Sequence, residues 1–140
     1  MDASRLIEWI ARIAVGVVFI VNVQCALGFV VDPGAYAAAY ELAGVPGEVA
    51  VRGLGVAFLM WNVTYPLVIW RPQAHRTLFG VVLVQQLVGL VGESAIALML
   101  PAGHAVLADG IGRFIAFDAF GLVLMGIAFA LLVWRTRREK

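Results

Sequence analysis

The sequence predicts an all-α, polytopic membrane protein: an antiparallel bundle of four transmembrane helices with a short interfacial helix in the first outer loop. Hydrophobic residues make up 63% of the 140 residues and charged residues only 14%, whereas a soluble domain carries about 25% charged residues. The apolar residues form four long runs, each with roughly the 20 residues that a transmembrane helix needs. Short polar segments separate the runs, so the chain is interpreted as a single domain, 1–140.

The first transmembrane helix is predicted over about 13–31, and Asp32-Pro33 ends its apolar run. Asp32 can cap a following helix that has Pro33 at its first position. The alanine-rich stretch that follows favours a helix, and Gly44 supplies a stop. We therefore expect a short helix over about 33–43 that lies at the membrane interface.

The other three transmembrane helices are predicted over about 51–70, 77–100 and 111–134. Pro66 falls in the last turns of the second helix and should kink it, which frees a backbone carbonyl near Asn62. The short basic turn at 71–76 makes the second and third helices antiparallel neighbours.

The distribution of basic residues predicts the orientation of the bundle. Eight of the ten Lys and Arg residues lie in the two termini or the 71–76 turn, and only Arg52 and Arg113 lie on the other side. Because cytoplasmic loops are enriched in Lys and Arg, we expect both termini in the cytoplasm and the protein in an inner or plasma membrane. The cations of the tail are typical of a stop-transfer signal or of contact with anionic lipid; they are Arg135, Arg137, Arg138 and Lys140.

Six polar side chains inside the predicted spans form the candidate site. Amides and carboxylates are costly in lipid, so they should face protein or water. Gln85, Gly89 and Glu93 share one stripe of the third helix, and counting residues places Glu93 at a depth similar to that of Asp118 on the fourth. We expect a polar pocket lined by Asn22, Asn62, Gln85, Gln86, Glu93 and Asp118, with Arg52 and Arg113 as rim cations.

Two interpretations of these polar groups follow. They bind a small molecule, a quinone headgroup or a proton, or they join the helices by hydrogen bonds and pair with the rim arginines. Motifs for haem, iron–sulfur clusters and zinc are lacking, since His75 and His104 are expected on opposite sides and Cys25 is the single cysteine. Ser94 has no histidine placed to activate it. The sequence therefore assigns no metal, catalytic residue or cofactor, and it leaves bound lipid or quinone open.

The first outer loop and the start of the second helix have a characteristic layout. The loop carries Asp32-Pro33-Gly34-Ala35-Tyr36 and then Glu41-Leu42-Ala43-Gly44-Val45-Pro46, and Arg52-Gly53-Leu54-Gly55 and a short basic turn follow. Over nearly the whole chain this layout resembles the DoxX-like group of small four-helix membrane proteins. Some members are linked to quinone-dependent sulfur oxidation or to membrane redox complexes, and the resemblance implies such a setting here. It implies no catalytic residue, and it places Glu93 where such proteins often carry polar residues.

The function expected from the sequence is that of an accessory or scaffold subunit of a larger membrane assembly, in keeping with a redox complex. The first alternative is a small-molecule or quinone-binding membrane protein with its pocket between the third and fourth helices, anchored by Glu93 and Asp118. The second is a minimal transporter or channel that works as an oligomer. The expected partners are the lipid bilayer and other membrane subunits or further copies of the chain, and no nucleic acid is expected among them.

Overall fold

The computed structural model describes residues 3–138, which are helical throughout apart from short connections and contain no strand. This confirms the all-α prediction, while the predicted tail cation Lys140 and the side chains of Arg137 and Arg138 lie outside what the structure describes. The helices are α1 (Ala3–Val31), α2 (Gly34–Ala37), α3 (Gly44–Asn62), α4 (Tyr65–Trp70), α5 (Arg76–Met99) and α6 (Ala105–Arg138), with a 3₁₀ turn at Ala38–Tyr40.

Four helical segments are long and apolar enough to cross a membrane, as the four predicted spans require. Their outer surfaces carry large apolar side chains, and Ile20, Leu98 and Val123 are 64%, 88% and 62% exposed. Lipid is a far better solvent than water for such a surface. The four segments are Ser4–Val31, Gly44–Trp70, Arg76–Met99 and Ala105–Arg135.

Three of the long helices begin earlier than the sequence predicted. α1 begins at Ala3 rather than near 13, α3 at Gly44 rather than near 51, and α6 at Ala105 rather than near 111. The prediction followed the apolar runs, but the helical backbone extends before them; in α3 it includes Pro46, which a helix tolerates in its first turn. In α1 this added segment carries an i,i+4 ion pair between Glu8 and Arg12, 3.7 Å long.

The second span is interrupted close to the expected position. α3 ends at Asn62, and α4 begins at Tyr65 with Pro66 in its first turn. Proline has no N–H, so the Asn62 carbonyl loses its helical donor. The Asn62 side chain turns back along α3, and its Nδ2 donates to the carbonyl of Phe58 at 2.8 Å. The break therefore fixes the direction of the Asn62 amide.

The short helix of the first loop is divided and shorter than predicted. α2 is followed by the 3₁₀ turn, and the helical backbone stops at Tyr40 rather than near 43 because Glu41 adopts a left-handed φ of 54°. Asp32 accepts a long hydrogen bond, 3.4 Å, from the N–H of Ala35, as expected of a capping residue. We call the end of the bundle formed by the loops 32–43 and 100–104 the cap end.

The packing is tight near the chain termini and looser toward the cap end. α1 contacts α3, α4 and α6, and α5 packs against α6 and α4. α3 meets α6 through side chains, since the rings of Phe58 and Phe114 lie 6.1 Å apart between centroids. This arrangement leaves space between α3, α5 and α6. The main buried cluster includes Ala11, Val15, Val68, Phe79, Val82 and Leu132.

Gly55 should be essential for the contact between α1 and α3. A Cβ atom at Gly55 would lie 2.8 Å from both the Ala26 carbonyl oxygen and Phe29 Cβ, whereas a Cβ at Gly53 would meet nothing within 4 Å. We expect Gly55→Ala to lower the unfolding free energy by about 1–3 kcal/mol through overpacking. Gly53→Ala should leave it unchanged or raise it by up to about 1 kcal/mol. Thermal unfolding in one detergent measures both, and equal melting temperatures would contradict this packing.

Candidate functional site

The crossing of α5 and α6 is built from two polar side chains and two glycines. Gln86 Nε2 donates a hydrogen bond of 2.8 Å to Asp118 Oδ1. Gln86 lies over Gly121, where an added Cβ would be 2.7 Å from Nε2, and the Asp118 carboxylate lies directly against Gly89. Each polar side chain therefore occupies space that the glycine of the other helix provides, and the pair fixes the register of the two helices.

A cavity of about 90 Å³ lies beside this pair. This volume is enough for several water molecules. We call it the polar cavity, because the structure brings together in its wall all six polar residues that the sequence singled out. These residues are Asn22 of α1, Asn62 of α3, Gln85, Gln86 and Glu93 of α5, and Asp118 of α6.

A second cavity of about 390 Å³ extends from the first toward the cap end. The two cavities share five wall residues and therefore adjoin each other, and we call the pair the chamber. Tyr36 and Tyr40 of the first loop line the second cavity, together with Phe29 of α1. We call it the aromatic cavity. The residues common to both cavities are Asn22, Phe58, Glu93, Phe114 and Phe117.

Two buried amide oxygens in the wall of the polar cavity have no hydrogen-bond partner among the described residues. They are Asn62 Oδ1 and Gln85 Oε1. Asn62 is only 5% exposed, and its Nδ2 is already bonded to the Phe58 carbonyl. An unsatisfied buried polar group costs about 1–3 kcal/mol. A hydrogen-bond donor bound inside the cavity would therefore remove this cost.

The two carboxylates share the chamber. Asp118 lies against Gly89, and Glu93 stands one helical turn further along α5, a backbone rise of about 6 Å. The sequence predicted a similar depth for the two groups by counting residues from each helix centre, and α6 begins earlier than that count assumed.

Two tyrosines line the chamber. Tyr65, 2% exposed, lines the polar cavity together with Asn22. The hydroxyl of Tyr40 is buried without a partner in the described part of the chain. Burial, and then the charges of Cys25 and Glu93, raise the pKa of the Tyr40 hydroxyl. Tyr40 therefore stays protonated and offers a donor at the cap end.

The predicted rim cations do not neutralise the carboxylates. Arg52 Nε donates to the Val30 carbonyl at 3.2 Å, and Arg52 lines neither cavity. Arg113 lines the aromatic cavity, but its Nη2 pairs with Asp109 Oδ2 at 2.7 Å, and its side chain is 81% exposed. Within residues 3–138, neither arginine pairs with the carboxylates of the chamber, which contradicts this part of the second interpretation.

The aromatic part of the wall is what the sequence did not reveal. Trp61, Phe114 and Phe117 are residue types that equally suit a lipid-facing surface, but they line the chamber. The sequence does contain an indication of this position, because Phe114, Phe117 and Asp118 are spaced so that they share one helical face. Gly92 of α5 is exposed, and a Cβ atom added there would meet nothing within 4 Å.

A polar link joins the two loops of the cap end. His104 Nδ1 lies 2.5 Å from Glu41 Oε2, at the point where Glu41 ends the 3₁₀ turn. His75 precedes α5 at the other end of the bundle, so the two histidines are separated as predicted. In the part of the chain described here, no group of three or more His, Cys, Asp or Glu side chains is placed to hold a metal ion.

The fold and the chamber together define a class: an all-helical protein with four membrane-length apolar helices around an internal amphipathic site. Comparison with protein-family models, curated proteins and solved structures gives no match. A functional proposal must therefore come from the chemistry of the chamber.

Adjacent glutamines should differ sharply in their effect on stability. Gln86→Leu leaves the half-buried Asp118 carboxylate without its donor, so we expect a loss of about 1–3 kcal/mol in the unfolding free energy. Gln85→Leu removes an unpaired acceptor and should leave stability unchanged or raise it. Denaturant unfolding in detergent measures both. In the double variant Gln86→Leu/Asp118→Leu, a coupling energy near zero would contradict the hydrogen bond, which predicts about 0.5–3 kcal/mol.

Proposed function

We propose that this protein is a membrane-embedded binding protein for a small amphipathic molecule, with both termini on the cytoplasmic side. The polar end of the ligand donates hydrogen bonds in the polar cavity, and its apolar part fills the aromatic cavity. The observation that supports the proposal most strongly is the pair of buried, unpaired amide oxygens of Asn62 and Gln85 in a cavity wall. A bound donor removes the cost of leaving them unpaired.

The size and lining of the chamber favour an organic ligand over water alone. Water satisfies polar sites with two to four partners, whereas apolar cavities stay dry. The aromatic cavity, about 390 Å³, is walled largely by rings and aliphatic side chains, Phe29, Leu54 and Phe117 among them. Pockets for small molecules measure about 300–1,000 Å³ and combine apolar walls with a few placed polar groups. The chamber has this combination.

A groove on the outer surface of α5 offers a route from the bilayer to the chamber. Trp61 and Gln85 line both the groove and the polar cavity. The other residues of the groove are mainly small or aliphatic, as suits a lipid-facing surface; they are Thr77, Gly80, Val81, Val84 and Val88. Trp61 is 36% exposed and stands between the groove and the cavity. In our proposal the ligand reaches the site laterally, past this side chain.

Of the two redox forms of a quinone ligand, only the reduced form, the quinol, matches the free oxygens of the cavity. The carbonyl oxygens of a quinone are acceptors and would face the acceptor oxygens of Asn62 and Gln85. The hydroxyl groups of a quinol are donors and match them. A quinol therefore belongs to the proposed ligand class, and the predicted DoxX-like resemblance, with its redox setting, is compatible with it.

An accessory or scaffold role is the second candidate, and Gln24 supports it. Gln24 lies well inside the first span, and its side chain is exposed on the surface of the bundle. An amide in lipid is costly, and such residues commonly hydrogen-bond to another helix. A partner subunit or a second copy of the chain would satisfy Gln24. No described feature favours the transporter or channel alternative over binding.

Binding should depend on the amide oxygen of Asn62. In nanodiscs, 4-phenylbutanol carries a donor hydroxyl and an aromatic body. We expect Asn62→Leu to weaken its apparent affinity about fivefold, the equivalent of one hydrogen bond. Ile127→Leu, a change on the exposed surface of α6, should leave the affinity unchanged. The shift of melting temperature with probe concentration gives the affinities. All three proteins are measured in the same lipid, so partitioning of the probe into the bilayer affects their apparent affinities equally. Equal affinities in all three proteins would refute the proposal.

Gln24→Leu should release any partner of α1. In a mild detergent, the wild-type complex should exceed the mass of one chain, and the variant should approach that mass. Ile20→Leu, on the same exposed surface, is the control. Light scattering with mass spectrometry of the co-purified proteins measures the change. A wild-type protein that is already monomeric and pure would exclude the accessory role.

A further inference from the structure

The polar cavity is lined by two carboxyl groups and by no matching cation. The two groups are those of Glu93 and Asp118, and no Lys or Arg side chain that the structure describes lines the cavity. Arg113 reaches only the aromatic cavity and is paired with Asp109 on the exposed side of α6. An uncompensated pair of carboxylates in a low-dielectric space attracts a positive charge far more strongly than it would in water.

Two amide donors of the cavity wall are already used within the protein, while two amide acceptors are free. Gln86 Nε2 is bonded to Asp118, and Asn62 Nδ2 is bonded to the Phe58 carbonyl. The amide oxygens of Asn62 and Gln85 remain unpaired. A protonated amine has up to three N–H donors and no acceptor, so it complements these oxygens and the carboxylates together.

Aromatic rings surround the same space. Phe58, Trp61 and Tyr65 line it from α3 and α4, and Phe114 and Phe117 line it from α6. The faces of aromatic rings attract cations, and the attraction is strongest where water is excluded. A bare metal ion would gain little from such walls, whereas an organic ammonium group gains from the rings and from burial of its carbon chain.

We propose that the ligand of the chamber is an organic cation: a protonated amine whose N–H groups face Glu93, Asp118 and the two amide oxygens, and whose apolar body occupies the aromatic cavity. This inference rests on the proposed binding function and specifies the class of its ligand.

Three probes of nearly identical shape separate charge from hydrogen bonding: 4-phenylbutylamine, 4-phenylbutanol and 4-phenylbutyrate. In nanodiscs of zwitterionic lipid near pH 7, we expect the amine to bind about tenfold more tightly than the alcohol, because charged hydrogen bonds are the stronger ones. The carboxylate probe should not bind. Glu93→Gln and Asp118→Asn should each bring the ratio of amine to alcohol affinity close to one. Glu48→Gln, which neutralises an exposed carboxylate outside the chamber, should leave the ratio unchanged.

The outcomes distinguish the inference from the proposed function. If the alcohol binds as tightly as the amine, the cation inference fails and the binding function stands. If neither probe binds to the wild type, the binding function fails as well. An amine preference that persists in both carboxylate variants, or displacement of the amine by equimolar sodium or potassium ions, also overturns the inference. Retained alcohol binding shows that each variant is folded.

Discussion

The hydrogen bond between Gln86 and Asp118 is the interaction on which the arrangement of the bundle depends. It forms because Gly121 and Gly89 leave room for the two side chains at the crossing of α5 and α6. Any other register would press one polar group against a side chain of the opposite helix and leave it unpaired, at a cost of about 1–3 kcal/mol. The register that remains turns Gln85 and Glu93 of α5 toward the same space as Phe114 and Phe117 of α6, so one pair of bonded side chains sets the wall of the chamber.

The opposite wall depends on the break between α3 and α4. Pro66 ends the continuous helix, and the Asn62 side chain then bonds to its own helix through Nδ2, which leaves Oδ1 facing the cavity. Ring contacts, such as that between Phe58 and Phe114, hold α3 and α6 apart at this level. A proline therefore affects the chemistry of the site through the direction of one amide. The same break allows α4, with Tyr65, to lean against α1 and α5.

The sequence was most informative about residue types that are costly in an apolar helix. All six polar residues that it singled out line the polar cavity, whereas Gln24, also within a span, is exposed on the surface of the bundle. An apolar side chain is tolerated both against lipid and in a cavity wall. The residue type alone therefore could not assign Phe114 and Phe117 to either surface. The starts of α3 and α6 were misplaced because glycine and proline near 44–47 and 101–110 suggest loops, whereas the backbone is already helical at 44 and 105. The sequence also could not predict which glutamine pairs with Asp118. Gln86 bonds to Asp118, whereas the amide oxygen of Gln85 has no described partner, although the two glutamines are adjacent in the chain.

The two interpretations of the polar groups turn out to concern different residues. Gln86 and Asp118 satisfy each other, and this pair needs no ligand to explain it beyond the joining of two helices. Asn62 and Gln85 keep a buried oxygen free, although a leucine at either position would avoid the penalty. A purely structural role accounts for the first pair and leaves the second unexplained, because a helix contact gains nothing from an unpaired acceptor. A bound donor accounts for the second pair, and it does so without disturbing the hydrogen bond that positions the helices around it.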